Sequence, residues 1–390
     1  MRARDSQRWA KQKHTGQANV TDVTRLPLLY LNFYPTASER VGEDFPFSNT
    51  QQQTPSTKHQ TPNTIPMFAF IIRRIIQALI VMLVVSLVGF SIQHQIGDPV
   101  RDLVGERVTP AEREIIRDQL GLNDPFYTQY FRFVKKACQG DLGMSFFYKK
   151  PTLEVIAAKA PATIELVLVT ALIIILISIP AGIYSAIYPK RLLCRVIMAG
   201  STIGVAIPVF LTAIALIYIF GVELNWLPSY GRGDTVTILG WESGFFTWDG
   251  LKHLILPSVS LSTIMLPLFI RLVRAEMMEV LETEYIKFAW AKGLHRQRVW
   301  FVHAFKNTLL PVITVFGVEL GILFAFTILT ETVFQWQGMG FMFLEAVERS
   351  DTSLLVAYLV VVGVIFVVVN TLVDIVYGFV NPMVRIAGTK

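Results

Sequence analysis

Long apolar runs alternate with short polar segments through most of the chain, and this pattern predicts membrane-spanning helices. About 20 apolar residues are needed to cross the roughly 30 Å hydrocarbon layer of a bilayer. The runs that reach this length cover about 68–96, 162–187, 196–220, 254–273, 309–334 and 354–380. The predicted fold class is therefore an all-α integral membrane protein with six transmembrane helices.

Basic residues in the short loops predict how these helices are oriented. Cytoplasmic loops carry an excess of Lys and Arg. An even number of spans puts both chain ends on the same side, so both ends are predicted to be cytoplasmic. The loops assigned to the cytoplasm carry Lys190, Arg191, Arg195, Arg274, Lys287, Lys292, Arg296, Arg298 and Lys306, and the short outer loops carry Arg232, Lys252 and Arg349.

The chain divides at Met67. Residues 1–66 are rich in Gln, Thr, Ser and Pro and have no sustained apolar period, which predicts a disordered extension. A sharper hypothesis is that Met67 is the real start and that 1–66 is a gene-model artefact. Residues 67–390 form the predicted transmembrane domain. Its outer segment, 97–160, has the spacing of short surface helices, and a polar loop covers 274–308.

Composition supports the membrane class. Of the 390 residues, 53% are hydrophobic and 16% are charged, which is too apolar for an ordinary soluble domain. The net charge of +6 is not gathered on a nucleic-acid recognition module. The two cysteines, Cys138 and Cys194, are predicted to lie on opposite sides of the membrane, so no disulfide is expected.

The polar loop contains the stretch around which the chain is organised, EYIKFAWAKGLHRQRVWFVHAFKNTLLP from Glu284. Acidic residues suit a helix start, Lys292 suits a helix end, and Gly293 suits the left-handed residue that closes a helix. Ala289 and Ala291 would let another protein's surface approach closely, beside aromatic anchors such as Tyr285. An ordinary amphipathic loop helix between spans explains the same pattern.

Motifs for catalysis are absent from the sequence. It contains no GxxxxGK[ST] phosphate loop, no HExxH and no GxSxG. Its histidines are scattered, so we expect no metal site, no bound cofactor and no enzymatic activity. Any energy that the protein uses must come from a partner.

Ionisable and amide side chains inside the spans are candidate pathway residues, because such groups normally face a cavity or a partner. Glu319, Asn370 and Asp374 fall in the last two spans. Our hypothesis is that Glu319 lines the pathway and attracts a peptide's amino terminus; a structural hydrogen bond or a salt bridge to a partner is the alternative. Glu165 and Glu331 lie near the outer ends and are expected to be hydrated, whereas Arg271 and Arg274 are expected to snorkel to the inner interface.

Several motifs in a fixed order resemble the B-type permease subunit of dipeptide and oligopeptide ABC importers. The resemblance runs from Met67 to about Arg385, and its specificity lies in the order and spacing of the motifs together. They are GDPV at Gly97, QLGLNDP at Gln119, GDLGMS at Gly140, PATIEL at Pro161, NWLPSYG at Asn225, EYIKFAWAKGL at Glu284, ETVFQWQGMG at Glu331 and NTLVDIVYGFVNP at Asn370.

The resemblance implies six spans of the ABC importer permease type, with a cytoplasmic coupling helix that docks on an ATP-hydrolysing subunit. Lys287 and Phe288 depart from the general importer motif, which puts in doubt which ATPase fits. The coupling residues implied are Glu284, Tyr285, Ala289, Ala291, Lys292, Gly293, Leu294, His303 and Asn307. The implied partners are a second permease, two ATP-binding subunits, a substrate-binding protein and a peptide, in a bacterial inner membrane.

Other functions remain open from the sequence. The substrate could be a nickel chelate, haem or a cationic peptide, because specificity is expected mostly in the binding protein. A channel or ion-driven carrier would predict internal inverted repeats, and none is found. A structural or signalling membrane scaffold would predict that the polar residues of the spans have no effect on uptake.

Overall fold

A computed structural model describes residues 67–96, 109–119, 122–238 and 240–380. The predicted N-terminal extension, 1–66, lies outside the described residues. Within some described helices a few side chains are also outside the description, Asp374 among them. We call the end of the helix bundle that carries Glu284 the inner end, and the opposite end the outer end, after the orientation predicted from the sequence.

The described part of the chain is mostly helical. The helices are α1 Met67–Ile96, α2 Pro110–Gln119, α3 Phe126–Cys138, α4 Thr152–Ile187, α5 Leu192–Ala206, α6 Val209–Leu216, α7 Trp248–Leu281, α8 Glu284–Ala291, α9 Arg296–Arg298, α10 Phe305–Val333, α11 Met339–Glu348 and α12 Thr352–Val380. Two π-helical segments, Ile217–Glu223 and Val299–Ala304, follow α6 and α9. A small hairpin joins β1 Val236–Ile238 to β2 Trp241–Ser243, with Val236 opposite Ser243.

Four described helical stretches are long and apolar enough to cross a membrane: Thr152–Ile187, Trp248–Leu281, Arg296–Val333 and Thr352–Val373. The bent pair Leu192–Ala206 and Val209–Glu223 makes a fifth if it counts as one span. The first predicted span corresponds to α1, in which the described apolar stretch is the shorter Ile75–Ser91. The all-α membrane class is thus confirmed. The predicted count of six spans is not reached, because the described residues contain four, or five with the bent pair.

The predicted span 196–220 is not one straight helix. It is broken between α5 and α6, and the two parts are bent by 108°. Ile207 adopts an extended conformation, with φ −92° and ψ 120°. Pro208 explains this, because proline disfavours helical geometry in the residue before it and donates no backbone hydrogen bond. At the break, the Ser260 hydroxyl of α7 donates to the Val209 carbonyl at 3.3 Å.

The centre of the bundle is the pair α4 and α7. Gly182 of α4 lies so close to Val273 and to the Ile270 carbonyl of α7 that a Cβ at this position would clash. Glycine therefore permits the close approach of the two helices. Large side chains such as Leu166, Leu261 and Phe269 fill the surrounding core, whose apolar contacts stabilise the bundle from within.

A second cluster of buried residues lies at the outer end, where α11 and the start of α12 pack on the start of α4. Met339, Met342, Leu354 and Tyr358 belong to it. Helix α1 packs along α12, and the ring of Phe90 near its outer end contacts Phe126, Tyr130 and Phe133 of α3. The outer segment is thus joined to the bundle through α1.

Candidate functional site

Helix α8 forms where the sequence predicts a short helix in the polar loop. Glu284 occupies its first turn, where negative charge is favourable, and its carboxylate pairs with Lys287 at 2.8 Å. This hydrogen bond and the charge of Glu284 raise the pKa of the Lys287 ammonium above its ordinary value. The helix ends before Gly293, whose φ of +75° is the left-handed conformation that glycine adopts without strain.

The two faces of α8 differ in burial. Ile286 and Ala289 are buried in the central core. Tyr285 (42%), Phe288 (61%) and Trp290 (40%) are the exposed aromatic residues. We call the exposed surface of α8, which surrounds the buried side formed by Ile286 and Ala289 and carries Tyr285, Phe288 and Trp290, the α8 aromatic face.

The prediction that Ala289 offers a small surface to another protein is wrong, because this residue packs inside the chain. Ala291, by contrast, is exposed. Lys292 is exposed too, and its ammonium lies 4.6 Å from the ring centroid of Phe288, a distance suited to a cation–π contact. The exposed surface therefore combines aromatic rings with positive charge.

The chain returns towards the bundle through α9, the π-helical segment and α10. Asn307 of α10 donates from its amide to the Tyr285 hydroxyl at 2.6 Å, so two predicted coupling residues hold the start and the end of the loop together. Leu294 packs against the core. The Nε2 atom of His303 is buried and has no hydrogen-bond partner among the described residues.

The predicted pathway residues are not brought into one cluster. Glu319 is half-buried on α10 and makes no hydrogen bond or ion pair with the described residues. Gly317 and Gly321 of α10 face Val373 and Phe366 of α12. Glu319 is two residues from each glycine, about 200° around the helix, and therefore points away from α12.

Asn370 lies on the α12 face that meets α10, and its amide donates to the carbonyl of Phe366 in its own helix at 2.8 Å. The side chain of Asp374 lies outside the described residues. The roles predicted for Glu319, Asn370 and Asp374 in the pathway stay predictions.

The expectation that Glu331 is hydrated is wrong. Its side chain is fully buried at the end of α10, where Oε1 accepts from the Thr163 hydroxyl at 2.6 Å. Oε2 accepts from the backbone N–H of Phe341 at 2.9 Å. Trp336 in the following turn is buried as well, and its indole N–H donates to the Ala162 carbonyl at 3.0 Å. Glu331 thus ties α10, α11 and α4 together.

The same correction applies to Glu165, which is 1% exposed. Its carboxylate accepts from the Arg232 guanidinium at 3.0 Å and from the N–H of Gly244 at 3.2 Å. Arg232 is itself largely buried and also donates to the Glu242 carbonyl. The outer loop between α6 and α7 is therefore fixed to α4 by a buried ion pair. We call Thr163, Glu165, Arg232 and Glu331 the outer polar cluster.

Sequence reasoning did not find this cluster because its partners are 67 and 168 residues apart in the chain. One usable signal was the presence of two acidic residues at the outer ends of very apolar spans. Within the described residues, no group of three His, Cys, Asp or Glu side chains could hold a metal ion. Cys138 and Cys194 are both free thiols, the first exposed and the second buried.

Two family profiles match the chain, one after the other along its length. The profile of the family described as "Binding-protein-dependent transport system inner membrane component" matches residues 178–386. The profile described as the N-terminal part of such membrane components matches residues 67–167. The two matches lie on either side of the middle of α4.

Curated relatives match over nearly their full length. The dipeptide transport system permease protein DppB of Alkalihalophilus pseudofirmus is 36% identical over 332 residues, covering 82% of this chain and 100% of the relative. The di/tripeptide permease protein DppB of Pseudomonas aeruginosa is 37% identical over 334 residues, covering 82% and 99%. The oligopeptide permease protein AppB of Bacillus subtilis is 36% identical over 321 residues, covering 82% and 100%.

A solved structure of the MetNI methionine ABC transporter is more distantly similar. It is 17% identical, covers 56% of this chain and 93% of its own, and has a TM-score of 0.45.

Proposed function

The chain belongs to the family of binding-protein-dependent transport system inner membrane components, and we propose that it is the permease subunit through which di- or oligopeptides enter the cell. The relatives that carry peptide-transport names match it over at least 99% of their length. The chain has no phosphate-binding GxxxxGK[ST] loop, so ATP hydrolysis is assigned to separate subunits. In this proposal the permease itself is not an enzyme and binds no cofactor.

The α8 aromatic face carries the part of the proposal that concerns the ATPase. Aromatic and basic side chains are enriched where protein surfaces meet, and buried aromatic anchors supply much of the binding energy. Ile286 on the opposite side of α8 is fully buried, so the helix is anchored to the bundle while its aromatic face stays open. A helix held in this way transmits a displacement of a docked partner directly to α7 and α10.

The proposed assembly has this chain paired with a second homologous permease, an ATP-binding subunit on each permease, and a substrate-binding protein on the outer face. ATP binding draws the inner loops together, and the spans turn from facing inward to facing outward. The binding protein then releases its peptide into the pathway, and hydrolysis restores the first state. Both chain ends lie in the cytoplasm in this arrangement.

Co-purification with a Gly293→Glu variant tests the docking surface. Gly293 has φ +75° and no atom within 4 Å of a built Cβ, so a side chain there protrudes from the surface and strains the backbone. Gly140 at the outer end has φ +83° and the same open space, which makes Gly140→Glu a matched control for the strain. We expect the wild-type protein and the Gly140→Glu variant to retain two ATPase chains, and the Gly293→Glu variant to lose them.

Equal recovery of the ATPases with the wild-type chain and the Gly293→Glu variant would contradict docking at this segment. Recovery of the wild-type chain alone from native membranes, in several detergents, would contradict the importer itself and favour a channel or an ion-driven carrier. The predicted roles of His303 and Asn307 in docking can be examined in the same assay with single alanine substitutions.

A further inference from the structure

Arg271 of α7 is held by hydrogen bonds to α5, and its predicted place at the inner interface stays a prediction. Its Nη2 atom donates to the Ser201 carbonyl at 3.1 Å and to the Thr202 hydroxyl at 3.3 Å, and its Nε atom donates to the Ser201 hydroxyl at 3.3 Å. The guanidinium is thus held against α5. Arg274, the other arginine of the pair, is half-buried, and its Nε atom has no hydrogen-bond partner among the described residues.

The depth of Arg271 follows from helix geometry. It lies ten residues before the inner end of α7, and Ser201 lies nine residues after the start of α5. At 1.5 Å per residue, both positions are roughly 14 Å from the inner ends of their helices. Arg271 also lies within the predicted span 254–273, where a charged side chain normally faces water or a partner.

The charge of Arg271 is not neutralised within the described residues. Every acceptor of its hydrogen bonds is neutral, and no described carboxylate lies within ion-pair distance. Its Nη1 atom makes no hydrogen bond with the described residues, and the side chain is exposed. The group is therefore fixed in place, charged and open on one side.

An exposed strip of α7 lies on the open side of Arg271. On α7, Pro267 faces Gly204 of α5, and Phe269 contacts Phe316 of α10 with ring centroids 5.3 Å apart. Leu268 lies between these two contact faces and is exposed. The exposed strip of α7 thus runs between α5 and α10, with Arg271 on its α5 side.

Glu319 borders the same strip from α10. It is one turn beyond Phe316 and lies between the face of α10 that contacts α7 and the exposed face that includes Val318 and Ile322. Arg271 is about 3 Å inward of Phe269, and Glu319 is about 4.5 Å outward of Phe316, from the rise of 1.5 Å per residue. The offset is about 7 Å along the bundle, and the width of the strip across α7 adds to it, so a peptide of a few residues spans the two groups.

We propose that Arg271 binds the carboxylate of a short peptide over the exposed strip of α7 between α5 and α10, and that Glu319 faces the peptide's amino group. This inference rests on the proposed function and names the chemical class of the substrate. An N–H of a guanidinium binds a carboxylate through a charge-assisted hydrogen bond, and the two N–H groups of the free Nη1 atom are available for it. Both charged groups of the site then gain the partners that the chain itself does not supply.

Equilibrium binding of labelled dialanine and dialanine amide to the purified importer, without its binding protein, tests the proposal. The wild-type importer should bind dialanine roughly ten- to a hundredfold more tightly than the amide, as expected for a hydrogen bond to a charged group. Arg271→Gln should reduce this ratio to about one. Arg195→Gln is the matched control, because Arg195 is exposed near the inner start of α5 and has no described ion-pair partner. It should keep the wild-type ratio.

A second variant guards against a fold defect in Arg271→Gln. Thr202→Asp places a carboxylate beside the guanidinium, where an internal ion pair should hold α5 and α7 together while occupying Arg271. We expect the same loss of preference for the free carboxylate. Co-purified ATPases report whether each variant has assembled.

An unchanged ratio in the assembled Arg271→Gln or Thr202→Asp importer would overturn the proposal, as would a wild-type importer that does not distinguish the two ligands. The proposed function is judged separately, by ATP-dependent dipeptide uptake through the wild-type importer. Uptake that persists with an unchanged binding ratio removes the role of Arg271 and leaves the import function in place.

Discussion

The loops at the two ends of the helix bundle differ in how they are attached and in what they expose. At the outer end, the loop after α6 and the turn after α10 are fixed to α4 by the buried side chains of Glu165 and Glu331. At the inner end, α8 is anchored by buried apolar residues and leaves the α8 aromatic face exposed. The polar groups of the outer loops are bound by residues of the same chain. The inner loop instead exposes aromatic side chains of the kind that a partner protein buries.

Because of this difference, substitutions at the outer end affect folding and substitutions on α8 affect docking. A buried carboxylate that loses its partner leaves a buried charge, so changes in the outer polar cluster act on the stability of the bundle. Exposed aromatic residues contribute little to the fold, so changes on the α8 aromatic face act on association. Substitutions at the two ends should therefore give different defects.

The largest effect is expected from Glu165→Ala. Arg232 would remain largely buried without its carboxylate, and breaking a buried pair in this way costs about 3–5 kcal/mol. We expect a large fall in folded protein, measured by size-exclusion chromatography and by thermal unfolding in detergent. Glu242→Gln is the control, because the Glu242 carboxylate is exposed and 4.0 Å from Arg232. Equal stability of the Glu165→Ala variant and the wild type would show that the outer loop is not held by this pair.

The next largest effects are expected from substitutions on the two sides of α8, one buried and one exposed. Ile286→Ala opens a cavity under the helix and should reduce the free energy of unfolding by about 2–5 kcal/mol. Phe288→Ala should leave unfolding nearly unchanged and weaken ATPase association by about 2 kcal/mol or more.

Thermal unfolding of the isolated permease and titration with its ATPase separate the two outcomes for α8. If Phe288→Ala lowered stability as much as Ile286→Ala, the distinction between an anchored side and an open side would be wrong.

The smallest effect is expected from Tyr148→Phe at the outer end. The Tyr148 hydroxyl donates to Glu345 at 2.8 Å, and burial, followed by this carboxylate, raises the pKa of Tyr148 above its ordinary value near 10. A raised pKa means that the contribution to stability is complete below pH 10 and is lost as the pH rises above it.

Tyr148→Phe should therefore cost about 1 kcal/mol at neutral pH, and the gap to the wild type should narrow above pH 10. Unfolding followed at several pH values would show this. A gap that widened with pH would contradict the assigned hydrogen bond.

The sequence predicted those features that depend on local pattern. Apolar runs located the spans, and the position of Gly293 located the end of α8, because helix length, charge at helix ends and glycine conformation are local properties. The motifs also led to the correct family. The break at Ile207 was missed although Pro208 lies within the predicted span, since proline can also be accommodated by a bend in a continuous helix.

The features that the sequence did not predict depend on distant partners. Glu165 and Glu331 were placed in water because Arg232 and Thr163, which bind them, come from other parts of the chain. Ala289 was assigned to the open surface because the side on which α8 packs is decided by α7 and the π-helical segment. The hydrogen bonds of Arg271 were not predicted because its partners on α5 become neighbours only after the bundle has formed.

ATP-dependent uptake of a labelled dipeptide into proteoliposomes tests the central claim most directly. The vesicles would contain this permease, its partner permease and the ATPases, with the binding protein on the outer side. We predict accumulation that requires both ATP and the binding protein and that is lost in the Gly293→Glu variant but retained in the Gly140→Glu variant. Accumulation without ATP, driven by an imposed ion gradient, would contradict the account and assign the chain to the ion-driven carriers.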